Sequence, residues 1–258
     1  MTTASHEAVQ GDIEKLARRL RLPHLRDAAP DVLKTARSQR WDPAEALRVL
    51  LEHEATGRDD SGREGRRKQA DFPNGKTFRT WNEEASSIPQ PTQQALQTLE
   101  WIGRRENVVL CGPSGTGKSH FLEALGQQAI DHDLKVSWFT LEDLGSLVRK
   151  HRIDDTTTRV IKRISKADLV CIDDIGLLPA SPDATEGFFR LIDAAYERRS
   201  LAISSNLHPS SFDQIMPKTL ATAAVDRLLH HAHIVQTDGD SFRLKEATAG
   251  EGVINLAH

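Results

Sequence analysis

The sequence predicts an α/β fold: a parallel five-stranded sheet flanked by helices, preceded by a small helical module. Three observations lead there. From residue 107 onward, short apolar runs alternate with segments of helical spacing, the pattern of a sheet covered on both faces. The first of those runs, Val108, Val109 and Leu110, leads straight into G-x-x-x-x-G-K-S at residues 112–119. Residues 1–56, by contrast, hold three amphipathic helical segments and no strand pattern.

In the first segment, over 12–22, Ile13, Leu16, Ala17 and Leu20 fall on one helical face, and a second helix is expected over 30–40. The third has the clearest start. Asp42 stands at the N-cap, Pro43 at the first helical position and Glu45 at N3, before a stripe of Ala46, Leu47, Leu50 and Leu51. Residues 57–91 are rich in Gly, Asp, Arg, Ser and Pro with little periodicity, and read as a linker. Its aromatics, Phe72, Phe78 and Trp81, either pack it on the following domain or cradle an adenine ring. The domain proper is expected over 92–258. It opens with a helix near 92–105, and strands follow at 107–111, 135–140, 168–173, 201–205 and 233–237. Helices are expected at 118–131, 141–151, 156–166, 184–198 and 219–231, with a short one near 209–215.

Residues 112–119 have the composition of a phosphate-binding loop. Backbone N–H groups converge on a triphosphate only where no Cβ blocks the approach, which accounts for Gly112, Gly115 and Gly117. Lys118 adds a cation for the β- and γ-phosphates, Ser119 a hydroxyl for Mg²⁺, and the helix that begins here points its positive dipole end at the anion. Four constrained positions match by chance in about one chain in a hundred of this length. The strand before and the helix after separate the match from a mere glycine-rich turn. Gly112, Pro113, Ser114, Gly115, Thr116, Gly117, Lys118 and Ser119 are therefore the candidate ATP-binding residues.

Two further strands end in polar groups. LVCIDD (169–174) ends in Asp173 and Asp174, and in open parallel sheets ligands lie at the carboxyl ends of strands. A close acidic pair is stabilised by a cation, so Asp173 is the candidate metal ligand beside Ser119, and Asp174 the group that orients the attacking water. LAISSN (201–206) ends in Asn206, whose amide would reach the γ-phosphate if its strand lies between the other two. Arg227 in AAAVDRLLHHAH and Arg243 in DSFRLKE are ordinary surface arginines by themselves. A phosphoryl-transfer site nonetheless needs more positive charge than Lys118 and Mg²⁺ provide.

Composition is that of a globular protein, with 38% hydrophobic and 28% charged residues and a net charge of −3. No apolar run reaches the about 20 residues of a membrane span, and the N-terminus lacks a signal-peptide layout. No membrane association and a cytoplasmic location are expected. Cys111 and Cys171 fall in apolar strands, where thiols act as small hydrophobes, and their number and spacing argue against a metal site. Residues 62–79 carry six basic side chains (Arg63, Arg66, Arg67, Lys68, Lys76, Arg79) against Glu64 and Asp71. The run fits a solvated linker or a contact with nucleic acid.

Taken in order, GPSGTGKS, LVCIDDIGLLP, YERRSLAISSN, VDRLLHHAHIVQ and DSFRLK, behind a module ending in LLEHE, resemble the IstB-type transposition helper ATPases of bacterial insertion sequences. These are AAA+ proteins related to the helicase loader DnaC and the initiator DnaA. The resemblance implies sheet order 5-1-4-3-2, which keeps Cys111 and Cys171 too far apart for a disulfide. It makes residues 112–119 Walker A, Asp173 and Asp174 Walker B, Asn206 sensor 1 and Arg243 sensor 2. Arg227 matches the arginine finger that reaches a neighbouring subunit's ATP, with Arg198 and Arg199 as an alternative pair. It further implies homo-oligomers that form with ATP on duplex DNA and recruit or stimulate a partner transposase. Asp174 departs from the glutamate of many AAA+ ATPases by one methylene, which bears on hydrolysis rate. A helicase loader, and an ATP-gated scaffold that does not hydrolyse, are the alternatives; a small-molecule P-loop kinase lacks a lid and an acceptor stretch.

Overall fold

The structure is a computed structural model that describes residues 3–152 and 156–242. The chain divides into two compact units, residues 1–65 and 66–258.

The first unit contains helices α1 (Thr3–Arg19) and α2 (Pro23–Gln39) and most of α3 (Pro43–Ala70). Ala17, Leu25, Ala29, Val32 and Leu50 form its core, with Leu22, Leu33 and Trp41 packed around them. Leu16, Leu20, Leu47 and Leu51 stay exposed, so only the inner row of the expected stripes is covered. The Asp42 side chain accepts from Ala44 N at 2.8 Å, as an N-cap does. Glu54, last residue of the LLEHE run, is buried. Its carboxylate accepts from Leu25 N at 2.9 Å and from Arg58 Nε at 2.7 Å, supplying the first turn of α2 with the acceptor that Leu22 lacks.

Helix α3 does not stop near residue 56 but continues to Ala70 through the segment that reads as linker. Ion pairs one turn apart, Arg58 with Glu54 and Arg63 with Asp60, support it along its surface. Gly57 stands where a Cβ would collide with the His24 ring. In the second unit, Arg66 and Arg67 tie the last turns of α3 to Asp133 and Asp131.

The second unit is built on five parallel strands: β1 (Asn107–Cys111), β2 (Val136–Thr140), β3 (Leu169–Ile175), β4 (Ser200–Ser205) and β5 (Ala232–Gln236). Their order is β2-β3-β4-β1-β5. β1, β3 and β4 are buried almost throughout, as strands covered on both faces must be. The helix expected over 92–105 is two: α4 (Gln90–Gln97) and α5 (Glu100–Gly103), broken where Leu99 takes φ 60°. The crossovers are α6 (Lys118–Asp131), α7 (Leu141–Arg152) with α8 (Thr157–Ile164), α9 (Pro182–Ala195) and α10 (Lys218–Leu229), the last following a 3₁₀ turn at Pro209–Gln214. Cys111 and Cys171 are free, buried and two strands apart. No helix among the described residues is long and apolar enough to cross a membrane.

The linker aromatics pack on the domain. Phe72 meets the edge of Trp138 and covers Gly126; Phe78 and Trp81 meet Phe121 on α6. Trp81 also donates to the buried Gln93 through Nε1 at 2.7 Å.

Candidate nucleotide-binding site

Between β1 and α6 the chain needs backbone conformations that favour glycine. Gly115 and Gly117 have φ of 84° and 88°, and a Cβ on Gly112 would overlap the carbonyl of Thr237. Thr116 is buried: its hydroxyl donates to Pro113 O at 2.9 Å and pairs with Thr237 Oγ1 at 2.7 Å, fixing the loop to the end of β5. Phe242 N donates to Gly115 O at 3.0 Å and closes the loop from the other side.

The end of β3 is irregular for a reason the site makes plain. In a regular strand adjacent side chains point to opposite faces, so Asp173 and Asp174 would be divided. Register with β4 shifts between Ile172 and Ile175, and Asp174 takes φ 60°, a conformation that Asp tolerates better than most residues. Asp173 thus stays buried, 6% exposed, accepting from Ser119 Oγ at 2.9 Å and from Ser204 Oγ. Asp174 emerges at the surface, its N–H donating to Ser204 Oγ at 3.2 Å. Asn206 is set by a bond from its N–H to Ile175 O at 2.8 Å and by the tight turn that Ser205 Oγ makes with Leu207.

These pieces meet at one cavity, lined by Ser114, Gly115, Gly117, Lys118, Ser119, His120, Asp174 and Asn206. Lys118 Nζ donates to Asn206 Oδ1 at 3.0 Å and to Pro113 O at 2.6 Å, so the loop lysine and the β4 amide share one hydrogen-bonded group. Asn74, Lys76 and Phe242 line the cavity too. The sequence reading missed Asn74 and Lys76, which come from the basic run; their backbone N–H groups bond to the buried carboxylate of Glu123 at 3.3 and 3.0 Å. A glutamate on the face of α6 that turns inward was the available signal. His120, on the cavity wall, packs against Trp81 and faces Thr77 O at 3.2 Å. Burial, first of all, holds its pKa below the usual histidine value.

The donor set fits a magnesium triphosphate. A lysine ammonium and the positive end of α6 suit phosphate oxygens, and a hydroxyl beside a buried carboxylate suits a hard divalent cation. Arg227 is elsewhere. It lies in the last turn of α10, paired with Asp193 at 3.2 Å, donating to Ala223 O and set over the Phe189 ring. Arg199 is near Asp168 at 3.7 Å, and Arg198 is exposed. Arg243 lies outside the described residues.

The family model described as "IstB-like ATP binding protein" matches residues 15–250. The chain belongs to this family. As an IstB-like protein it is an ATP-binding protein. A protein named for ATP binding in insertion sequence IS21 of Pseudomonas aeruginosa is 33% identical over 237 residues, covering 91% of this chain and 89% of its own. Its counterpart in IS232 of Bacillus thuringiensis subsp. berliner is 31% identical, with 88% and 92% covered. Among solved structures, AMPPCP-bound DnaA from Aquifex aeolicus superposes with a TM-score of 0.52 at 19% identity, over 72% of the IstB-like chain and 59% of that one. DnaI gives 0.53 at 14%, over 64% and 92%. At such identities the likeness is one of fold.

Proposed function

We propose that this IstB-like chain hydrolyses ATP as the helper of a partner transposase, assembling with ATP into homo-oligomers on duplex DNA. The observation that carries the reading is the Ser119–Asp173 and Lys118–Asn206 pairing around one cavity, with Arg227 held outside it. Lys118 donates to the β- and γ-phosphate oxygens, and the first turn of α6 adds its dipole. Ser119 and Asp173 would hold Mg²⁺, which would supply positive charge to the triphosphate. Asp174, exposed at the cavity edge, orients the attacking water and takes up its proton, while Asn206 fixes that water relative to Lys118. Arg227 leaves Asp193 to meet the triphosphate of the adjoining subunit, and Arg243 acts as sensor 2. ATPase turnover with and without duplex DNA, measured beside oligomer size in ATP and in ADP, tests the whole reading. Turnover that DNA stimulates, from an oligomer present only with ATP, is the expected result. A monomer with unchanged turnover overturns it.

A further inference from the structure

Of the six cations in the basic run that the sequence singles out, at least three are held in ion pairs. There Arg63 is paired with Asp60, Arg66 with Asp133 and Arg67 with Asp131. A second concentration lies on and around α8. Residues 156–166 (TTTRVIKRISK) contain four basic residues and no acidic one, in a chain whose net charge is −3. Val160, Ile161 and Ile164 bury one face of α8 against the core, so Arg159, Lys162, Arg163 and Lys166 are all exposed on the other. None of those four has an ion-pair partner among the described residues.

Lys162 continues this row into a cleft of about 660 Å³ that also takes in Arg105, Arg190, Arg198 and Arg199. Among the described residues, Asp193, which lines the cleft, is paired with Arg227, Asp168 with the backbone of Lys135 and with Arg199, and Glu186 with Arg190 and Arg152, so Arg190 and Arg199 are themselves ion-paired. Arg105 and Arg199 line the cleft and precede β1 and β4, so it lies at the amino ends of those strands, away from the phosphate loop. The hydroxyls of Thr158 and Ser165 line it as well. Its one aromatic, Phe189, is half-buried beneath Arg227 and offers no platform for an unstacked base.

We propose that the exposed face of α8 and the adjoining cleft form a track for the phosphodiester backbone of duplex DNA, distinct from the nucleotide site. The inference rests on the DNA-binding part of the proposed function and names the surface that carries it. A row of exposed cations on α8 without carboxylate partners among the described residues, continued by Arg105 and Arg198 in the cleft, with hydroxyls beside them and no stacking group, suits sequence-independent backbone binding.

The test measures duplex affinity of the full chain in ATP between low and moderate salt, for the wild type and for Lys162→Ala combined with Arg163→Ala. Two lost phosphate contacts flatten the slope of log affinity against log salt by about 1.8. Affinity at low salt is expected to drop at least about 10-fold, with ATP affinity unchanged. Arg159→Ala with Lys166→Ala is the second variant and should act in the same direction; circular dichroism checks that both pairs fold. A wild type that shows no salt-dependent duplex binding sinks the DNA reading and this inference together. A wild type that binds, beside variants with its affinity and slope, leaves the DNA reading standing and overturns the track. Variants that lose ATP-dependent assembly yet keep the salt slope assign the face to another subunit, which likewise overturns it.

Discussion

At the residue scale the site was legible where its chemistry is local. A loop that must wrap phosphate needs its glycines, its lysine and its hydroxyl within eight positions, and a strand ending in two aspartates announces itself. Lys118→Ala removes the one ammonium bonded to both the loop and Asn206, and ATP affinity should fall about 100-fold, ~2.7 kcal/mol; fluorescent-nucleotide titration reads it. Lys76 and Asn74 were not legible, because they reach the cavity through a hydrogen bond to Glu123, forty-seven and more positions away. His120 adds a pH dependence. Its pKa is 6.5 unperturbed and lower in the fold, so the folded state disfavours the proton. Stability should be level above about pH 6.5 and decline as pH falls below it, since the unfolded chain then binds more protons. Melting temperatures from pH 8 to 5 should show that decline for the wild type. A His120→Gln chain with the same decline would assign it to other groups.

At the scale of elements, periodicity found the helices and strands but not how far neighbours cover them. Leu16, Leu20, Leu47 and Leu51 satisfy a buried stripe on paper, yet two short helices and part of a third enclose only the inner row. The helix over 57–70 was hidden by Gly57, Gly62 and Gly65, each unfavourable by about 1 kcal/mol relative to Ala; its support comes from ion pairs and from the Asp131 and Asp133 anchors, which local propensity does not contain. Sheet order is likewise invisible to periodicity and followed from family resemblance. Glu54 gives this scale its prediction. A buried carboxylate that accepts from the first turn of α2 should be missed: Glu54→Ala is expected to destabilise the first unit by about 1–3 kcal/mol. Urea titration followed at Trp41, the one tryptophan of that unit, would reveal an earlier transition, and an unshifted midpoint would deny the residue its capping role.

For the whole molecule, the sheet decides which groups can cooperate within one chain. Lys118, Asp173 and Asn206 belong to the carboxyl ends of β1, β3 and β4, with β4 between the other two. Arg227 lies in the last turn of α10, just before β5 begins, at the amino end of the strands. Five residues of strand span about 16 Å. That is beyond the reach of one side chain, so an Arg227 that acts on ATP acts on another subunit's. The consequence separates trans from cis action without a structure of the assembly. Arg227→Ala leaves its own cavity complete but offers no finger. Asp174→Asn binds ATP and offers a finger but cannot activate water. Each alone should be nearly inactive. Mixed in equal amounts, they create interfaces where the intact cavity of the first variant faces the intact arginine of the second, and ATPase activity should rise above that of either. Activity of the mixture equal to the mean of its components would place Arg227 outside the reaction and leave its ion pair with Asp193 as a purely structural contact.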